Sequence, residues 1–225
     1  MNIVPPVKVK VSCIASPAEA QIAVSYGVAA VGMVDETPTG EGRVPRETIA
    51  EIAASVPENV GTFVLTSATD SEKLADLYAT TGVDTLQLWD PLPSDGYERL
   101  RSLSPGIFIA QSIHAMDDNA LDVARRVARH VDALVLDSGH SEPPLRWRNP
   151  GGETHDWRIS RRISDEIRLP VLLAGGLNAG NVCQAVRVVR PYGVDVCSGV
   201  RKEGKLDRSL LVAFLETVSR PQCAE

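Results

Sequence analysis

The chain has 225 residues, 44 % of them apolar, a formal net charge of −6 and a pI near 5.3, which is enough apolar content to bury one large core. The acidic balance argues against nucleic acid or an anionic membrane as partner, since both select a basic face. No run approaches the roughly 18 apolar residues of a membrane helix, and MNIVPPVKVK lacks a signal-peptide core, so the expectation is a soluble, cytoplasmic protein with no membrane partner.

Along the chain, short runs rich in Val, Ile and Leu alternate with segments of helical period. VKVKVSC (7–13) reads as a strand and leads to PAEAQIAVSYG, a helix with Pro17 in its first turn and a stop at Gly27. AAVGMV (29–34) is followed by the loop DETPTGEGRVP (35–45) and the helical RETIAEIAASV. GTFVLT (61–66) precedes DSEKLADLYATTG, which an Asp70 cap opens and Gly82 closes. DTLQLW (84–89) pairs with DGYERLRSL, IFIAQSI (107–113) with DDNALDVARRVARH, and DALVLD (132–137) with DWRISRRISDEI after the longest connection, 138–155. PVLLAG (170–175) leads to NAGNVCQAVRVVR, and VDVCSG (194–199) to DRSLLVAFLETV. The basic RISRR has the spacing of a solvated helix face. Ala18, Ile22 and Ala23 fall on one helix face, as do Leu74, Leu77 and Tyr78, and both stripes are assigned to core packing.

Eight buried strands, each followed by a helix, with no linker to divide them, predict a (β/α)8 TIM barrel in which residues 1–225 form a single domain. Such a barrel builds its active site from strand C-terminal ends and the loops after them, so the two long connections are expected at the functional face.

Four cysteines, Cys13, Cys183, Cys197 and Cys223, lie far apart without a CxxC pair, and the four histidines lack ligand spacing. Neither a metal site nor a disulfide framework is expected. Strands seven and eight end in LLAGGLN and DVCSGV, where glycines let backbone N–H groups approach an anion. Gly175, Gly176, Ser198 and Gly199 are therefore the expected phosphate cradle.

VDALVLDSG, GGETHDW, LPVLLAGGLNAGNVCQAV and VRPYGVDVCSGVRKEGKLD stand in the same order as the motifs of phosphoribosylanthranilate isomerase, and the chain resembles that tryptophan-pathway family over nearly its whole length. The resemblance implies an Amadori rearrangement: an N-substituted ribosylamine 5-phosphate becomes a 1-amino-1-deoxyribulose 5-phosphate, with a small phosphosugar as substrate and no cofactor. A general acid must protonate the furanose oxygen, and a general base must then remove the C2 proton from the iminium. Asp137 matches the family's acid, and partial desolvation at a barrel mouth favours the protonated carboxyl. Arg43 matches an arginine that would hold the anthranilate carboxylate, although TPTGEGRVP departs from the family's loop. Gln87 and His114, near the ends of strands four and five, are candidate pocket residues, and NPGGETHDW keeps only part of the family's glycine run.

The base is the departure. Aligned without gaps, the family's base cysteine falls on Ser12 and its following glycine on Cys13. A bulge could turn Cys13 inward to restore a thiol base, with Cys197 its rival in the mouth. Alternatively, a repurposed barrel could use another base, such as Asp35 or Glu36, on a related phosphoribosyl substrate, or the barrel could bind a phosphosugar without catalysis. Monomer and homodimer are both compatible with the sequence.

Overall fold

The structure, a computed structural model, describes residues 7–38, 40, 42–115, 119–137 and 157–223. Along them run β1 (Lys8–Val11), α1 (Pro17–Ser25), β2 (Ala30–Glu36), α2 (Arg46–Ser55), β3 (Gly61–Thr66), α3 (Ser71–Thr81), β4 (Thr85–Leu88), α4 (Ser94–Leu103), β5 (Phe108–His114), α5 (Asn119–Val127), β6 (Ala133–Asp137), α6 (Trp157–Glu166), β7 (Val171–Leu173), α7 (Val182–Val189), β8 (Gly193–Val196) and α8 (Arg208–Val218). The strands are parallel and each pairs with the next. β8 returns to β1 in the register Lys8↔Gly193 to Val11↔Val196, closing the barrel.

Strands covered on both faces must be apolar on both, which is why the sequence shows continuous runs. One set of alternate residues, including Val9, Val11, Met33, Val64, Leu86, Ile109, Leu134 and Val194, packs in the large cluster that joins the sheet to the helices. The other set faces the barrel interior. There Ala110, Ala133, Val135, Leu172 and Ala174 form a small apolar cluster against Phe63.

The helix ends follow their caps. Ser16 Oγ accepts from Glu19 N–H, Asp70 from Lys73 N–H and Asp207 from Leu210 N–H, and Gly82 closes α3 at φ +64°. In α3, Leu74 and Leu77 are buried as the stripe requires, whereas α1 buries Ala20 and Ala23 and exposes Ala18. The helix expected at DRSLLVAFLETV is α8, and between β8 and α8 lie elements the sequence did not suggest. A 3-10 turn (Ser198–Val200) and a hairpin of β9 (Arg201–Lys202) and β10 (Lys205–Leu206) come first. Glu19 anchors that hairpin, accepting from both terminal nitrogens of Arg201 and from Leu206 N–H. The long connection 138–155, with Gly151, Gly152 and Asp156 beyond strand six, lies outside the described residues.

Tyr97 is the largest fully buried side chain among the described residues, stacked on His130 at 5.2 Å. Its hydroxyl donates to Gln111 Oε1 at 2.7 Å and accepts from Leu92 N–H at 3.1 Å. Burial pushes the phenol above its usual pKa, against the smaller opposing effect of the Leu92 N–H, so it remains a donor. Tyr97→Phe would leave both partners unsatisfied in the core. It should cost about 1–3 kcal/mol of stability, read as a lower urea midpoint with an unchanged m-value.

Candidate active site

At the C-terminal end of β1 the interior turns from apolar to polar. Lys10 and Asp195 are register neighbours on β1 and β8, and Lys10 Nζ lies 2.5 Å from Asp195 Oδ2. The same ammonium donates to Ser12 Oγ at 2.8 Å and to Gln87 Oε1 at 2.9 Å, so each of its three N–H bonds has an acceptor. Ser12 Oγ in turn donates to Asp195 Oδ1 at 2.6 Å. Gln87 Nε2 carries the network on to Ser112 Oγ at 3.2 Å. The side chains of Lys10 and Asp195 are 2 % and 7 % exposed, and a charge pair this deep persists only when its hydrogen bonds are complete. Gly32 on β2 makes the room: a Cβ there would come within 2.7 Å of Ser12 Oγ and 3.1 Å of Lys10 Cε.

Cys13 corrects two expectations. It is bonded to Cys197 as a disulfide, with Cα atoms 5.8 Å apart, so neither cysteine offers a thiol to act as base. Cys183 and Cys223 form a second disulfide, between α7 and the C-terminal 3-10 turn (Pro221–Cys223), and all four cysteines are thus paired. Through Val11, β1 keeps an unshifted register with both neighbours, and the backbone departs from the strand only at Cys13. Ser12 N–H donates to Val196 O and Ile14 N–H to Gly32 O, and Ser12 is the residue that joins the interior network. Cys13 instead has φ +64°, the left-handed conformation that favours glycine.

The alternative bases are also placed. Asp35 is buried, contacts Arg46 Nε at 3.4 Å at the start of α2, and accepts from Thr66 Oγ1 at 3.3 Å. It is therefore engaged with the helix layer. Glu36 is exposed. Asp137 ends β6, half-buried, in register with His114 at the end of β5. His114 packs against Trp89 at 4.9 Å, and its Nδ1 is buried with no hydrogen-bond partner among the described residues. Gln87 lies lower, with both ends of its amide engaged in the network. Arg43 is exposed on the loop after β2, its backbone bridged to Val34.

Gly175 and Gly176 follow β7 at φ +89° and +63°, and the Gly176 carbonyl accepts from Asn181 Nδ2 at 3.0 Å. Gly199 lies so close to this loop that a Cβ would meet Leu177 O at 1.9 Å. The two glycine loops thus touch through their backbones, beside the exposed Ser198.

The N-(5'phosphoribosyl)anthranilate (PRA) isomerase family model matches residues 9–217. The chain belongs to the phosphoribosylanthranilate isomerase family. It is 32 % identical to N-(5'-phosphoribosyl)anthranilate isomerase 1 of Methanosarcina mazei, over 94 % of each chain. Among solved structures it resembles phosphoribosyl anthranilate isomerase from Thermotoga maritima, with TM-score 0.79 and 27 % identity over 94 % of this chain and 98 % of that one. It also resembles a phosphoribosyl anthranilate isomerase in complex with reduced 1-(o-carboxyphenylamino)-1-deoxyribulose 5-phosphate, with TM-score 0.77 and 26 % identity over the same shares. Within this family the chain carries Ser12 where the resemblance puts the base cysteine, and Cys13 where it puts glycine. The left-handed backbone at Cys13 is the conformation a glycine there would adopt without cost.

Lys10, Asp195 and Trp89 are absent from the residues expected on sequence grounds. The available signal was a charge inside an apolar strand: VKVKV and GVDV each carry one, and a charge buried there needs a partner of opposite sign. The pairing of cysteines can be checked directly. Thiol titration of the denatured, unreduced protein should find no free thiol, and four after reduction. Peptide mapping should join Cys13 to Cys197 and Cys183 to Cys223. Free thiols before reduction would count against the pairing.

Proposed function

We propose that this barrel, acting as one domain in the cytoplasm, is a phosphoribosylanthranilate isomerase that converts N-(5'-phosphoribosyl)anthranilate to 1-(o-carboxyphenylamino)-1-deoxyribulose 5-phosphate. The observation that carries the reading is the family match over residues 9–217 with Asp137 standing at the C-terminal end of β6, the face where such barrels do chemistry. Asp137 donates its proton to the furanose oxygen, the ring C–O bond breaks, and the anilino nitrogen's lone pair forms the C1 iminium. Loss of the C2 proton gives an enolamine, which tautomerises to the ketone.

The glycines after β7, at positive φ and with open space at Gly176 where a side chain would stand, together with Gly199 and Ser198 after β8, support a phosphate cradle of Gly175, Gly176, Ser198 and Gly199, since an anion site made of backbone N–H groups needs that unobstructed approach. Arg43, exposed after β2, is assigned to the anthranilate carboxylate as a planar fork for a planar anion. His114 lines the same mouth beside Asp137. Gln87 acts from below, holding Lys10.

The test is to add the protein to phosphoribosylanthranilate and follow loss of the substrate's fluorescence. Steady loss is expected, and Asp137→Asn should lower the rate by roughly 10² to 10⁴, the usual cost of removing a general acid. No loss with the unaltered protein would reject the reading. Turnover of a different ribosylamine phosphate would make the chain a repurposed barrel, and tight binding without turnover a phosphosugar-binding module. An undiminished rate in Asp137→Asn would remove that residue from the mechanism.

A further inference from the structure

The isomerase reading needs a base for the C2 proton, and the disulfide removes both cysteines of the mouth from that role. Asp35 is engaged with Arg46 and Thr66, and the Lys10 ammonium has all three donors occupied. What remains at the end of β1 is a hydroxyl in contact with a carboxylate. We propose that Ser12 Oγ takes the C2 proton while passing its own proton to Asp195 Oδ1, a relay that does the work of the family's base cysteine. The proposal rests on the isomerase reading.

Three features of the geometry support it. First, Ser12 is the accessible end of the network: it is half-buried, whereas Lys10 and Asp195 behind it are buried, so a ligand in the mouth meets the hydroxyl first. Second, the hydroxyl has the free valence the step demands. It donates to Asp195 at 2.6 Å and accepts from Lys10 at 2.8 Å, which occupies one of its two acceptor positions and leaves the other for the incoming proton. Third, the acceptor is held in place. Asp195 is tied at Oδ2 by Lys10 while Oδ1 meets the serine, and Lys10 is itself anchored by Gln87. A serine hydroxyl alone is too weak a base near neutral pH, and a nucleophile or base of this type requires an adjacent group to accept its proton.

The step balances. The C2–H bond breaks and a new Oγ–H bond forms. The old Oγ–H bond breaks and the proton bonds to Oδ1. The C2–H electron pair becomes the C1–C2 double bond, and the iminium π pair returns to nitrogen. The iminium's positive charge and the carboxylate's negative charge are both neutralised, and no cofactor or oxidant enters. Ser12 is the catalytic group, and Asp195 and Lys10 are positioning residues that act through it.

The experiment compares Ser12→Ala, Asp195→Asn, their combination, Ser12→Cys and Ser12→Cys/Asp195→Asn. Steady-state rates are measured on phosphoribosylanthranilate, with binding of reduced 1-(o-carboxyphenylamino)-1-deoxyribulose 5-phosphate as the check that the site is intact. Ser12→Ala and Asp195→Asn should each lower kcat by roughly 10² to 10⁴ with unchanged binding of the analogue. The double variant should be no slower than the slower single, because the two residues act as one unit. Ser12→Cys/Asp195→Asn should be faster than Asp195→Asn, since a thiolate is a base without a relay partner. Full activity in Ser12→Ala, losses that multiply in the double variant, or no rescue by cysteine would overturn the relay while leaving the isomerase reading intact. Ser12→Ala keeps the Lys10–Asp195 pair and decides the matter should Asp195→Asn fail to fold. Inactivity of the unaltered protein would overturn both proposals.

Discussion

The ion pair of Lys10 and Asp195 constrains the rest of the barrel mouth. Two charges withdrawn from water cost several kcal/mol each before compensation, and their attraction repays this only when every remaining donor and acceptor is matched. Ser12 just beyond β1, Gln87 on β4 and, through it, Ser112 on β5 meet that condition. The pair bridges β1 and β8, the seam where the sheet closes on itself, and Gln87 extends it across the interior to β4. A smaller residue at position 32 is forced by the same requirement, because the Lys10 stem and Ser12 hydroxyl occupy the space a side chain on β2 would fill.

This places two different interiors side by side in one barrel. Toward β5, β6 and the end of β7, Ala110, Ala133, Val135, Leu172 and Ala174 form an apolar cluster that needs nothing but packing, and Ser112 on β5 marks the edge of the polar network. Under β1, β4 and β8, Lys10, Gln87 and Asp195 put charged and amide groups in the interior, with the Phe63 ring 5.0 Å from the Lys10 ammonium at the boundary. The division suits a reaction that requires an acid and a base on separate sides of a sugar. Asp137 rises from the apolar side, and Ser12 with Asp195 from the polar side, with β7 and β8 between β6 and β1 around the sheet. The glycine loops that touch through Gly199 and Leu177 stand at the ends of those two intervening strands.

The barrel was legible because parallel strands buried on both faces leave apolar runs that nothing else in the sequence imitates, and because Asp70, Gly82 and Pro17 mark helix ends by local chemistry. The places of Asp137 and the strand-end glycines were legible for a related reason: position at the end of a run fixes position at the mouth. The disulfides were not. Cys13 and Cys197 are 184 residues apart, and only closure of β8 onto β1 brings them together; Cys183 and Cys223 meet only when the chain end folds back on α7. The hairpin of β9 and β10 was missed because its strands are too short to show alternation, and its anchor is Glu19, far away in sequence.

The interior network takes in Ser12 and leaves out Cys13. Residues two apart on a strand share a face, and Ser12, two beyond the inward Lys10, bonds to the same ammonium and carboxylate, whereas Cys13 is bonded to Cys197 instead. The cysteine takes a left-handed backbone that costs a non-glycine residue on the order of 1 kcal/mol, and the covalent bond to Cys197 holds it there. That bond lies one residue beyond Ser12 and two beyond Asp195, so it ties together the strand ends that carry the hydroxyl and the carboxylate. A thiol one position earlier would need no such support, because it could accept a proton by itself. A hydroxyl must be held against its acceptor, and the staple at the seam and the lysine beneath it are the parts of this structure that hold it.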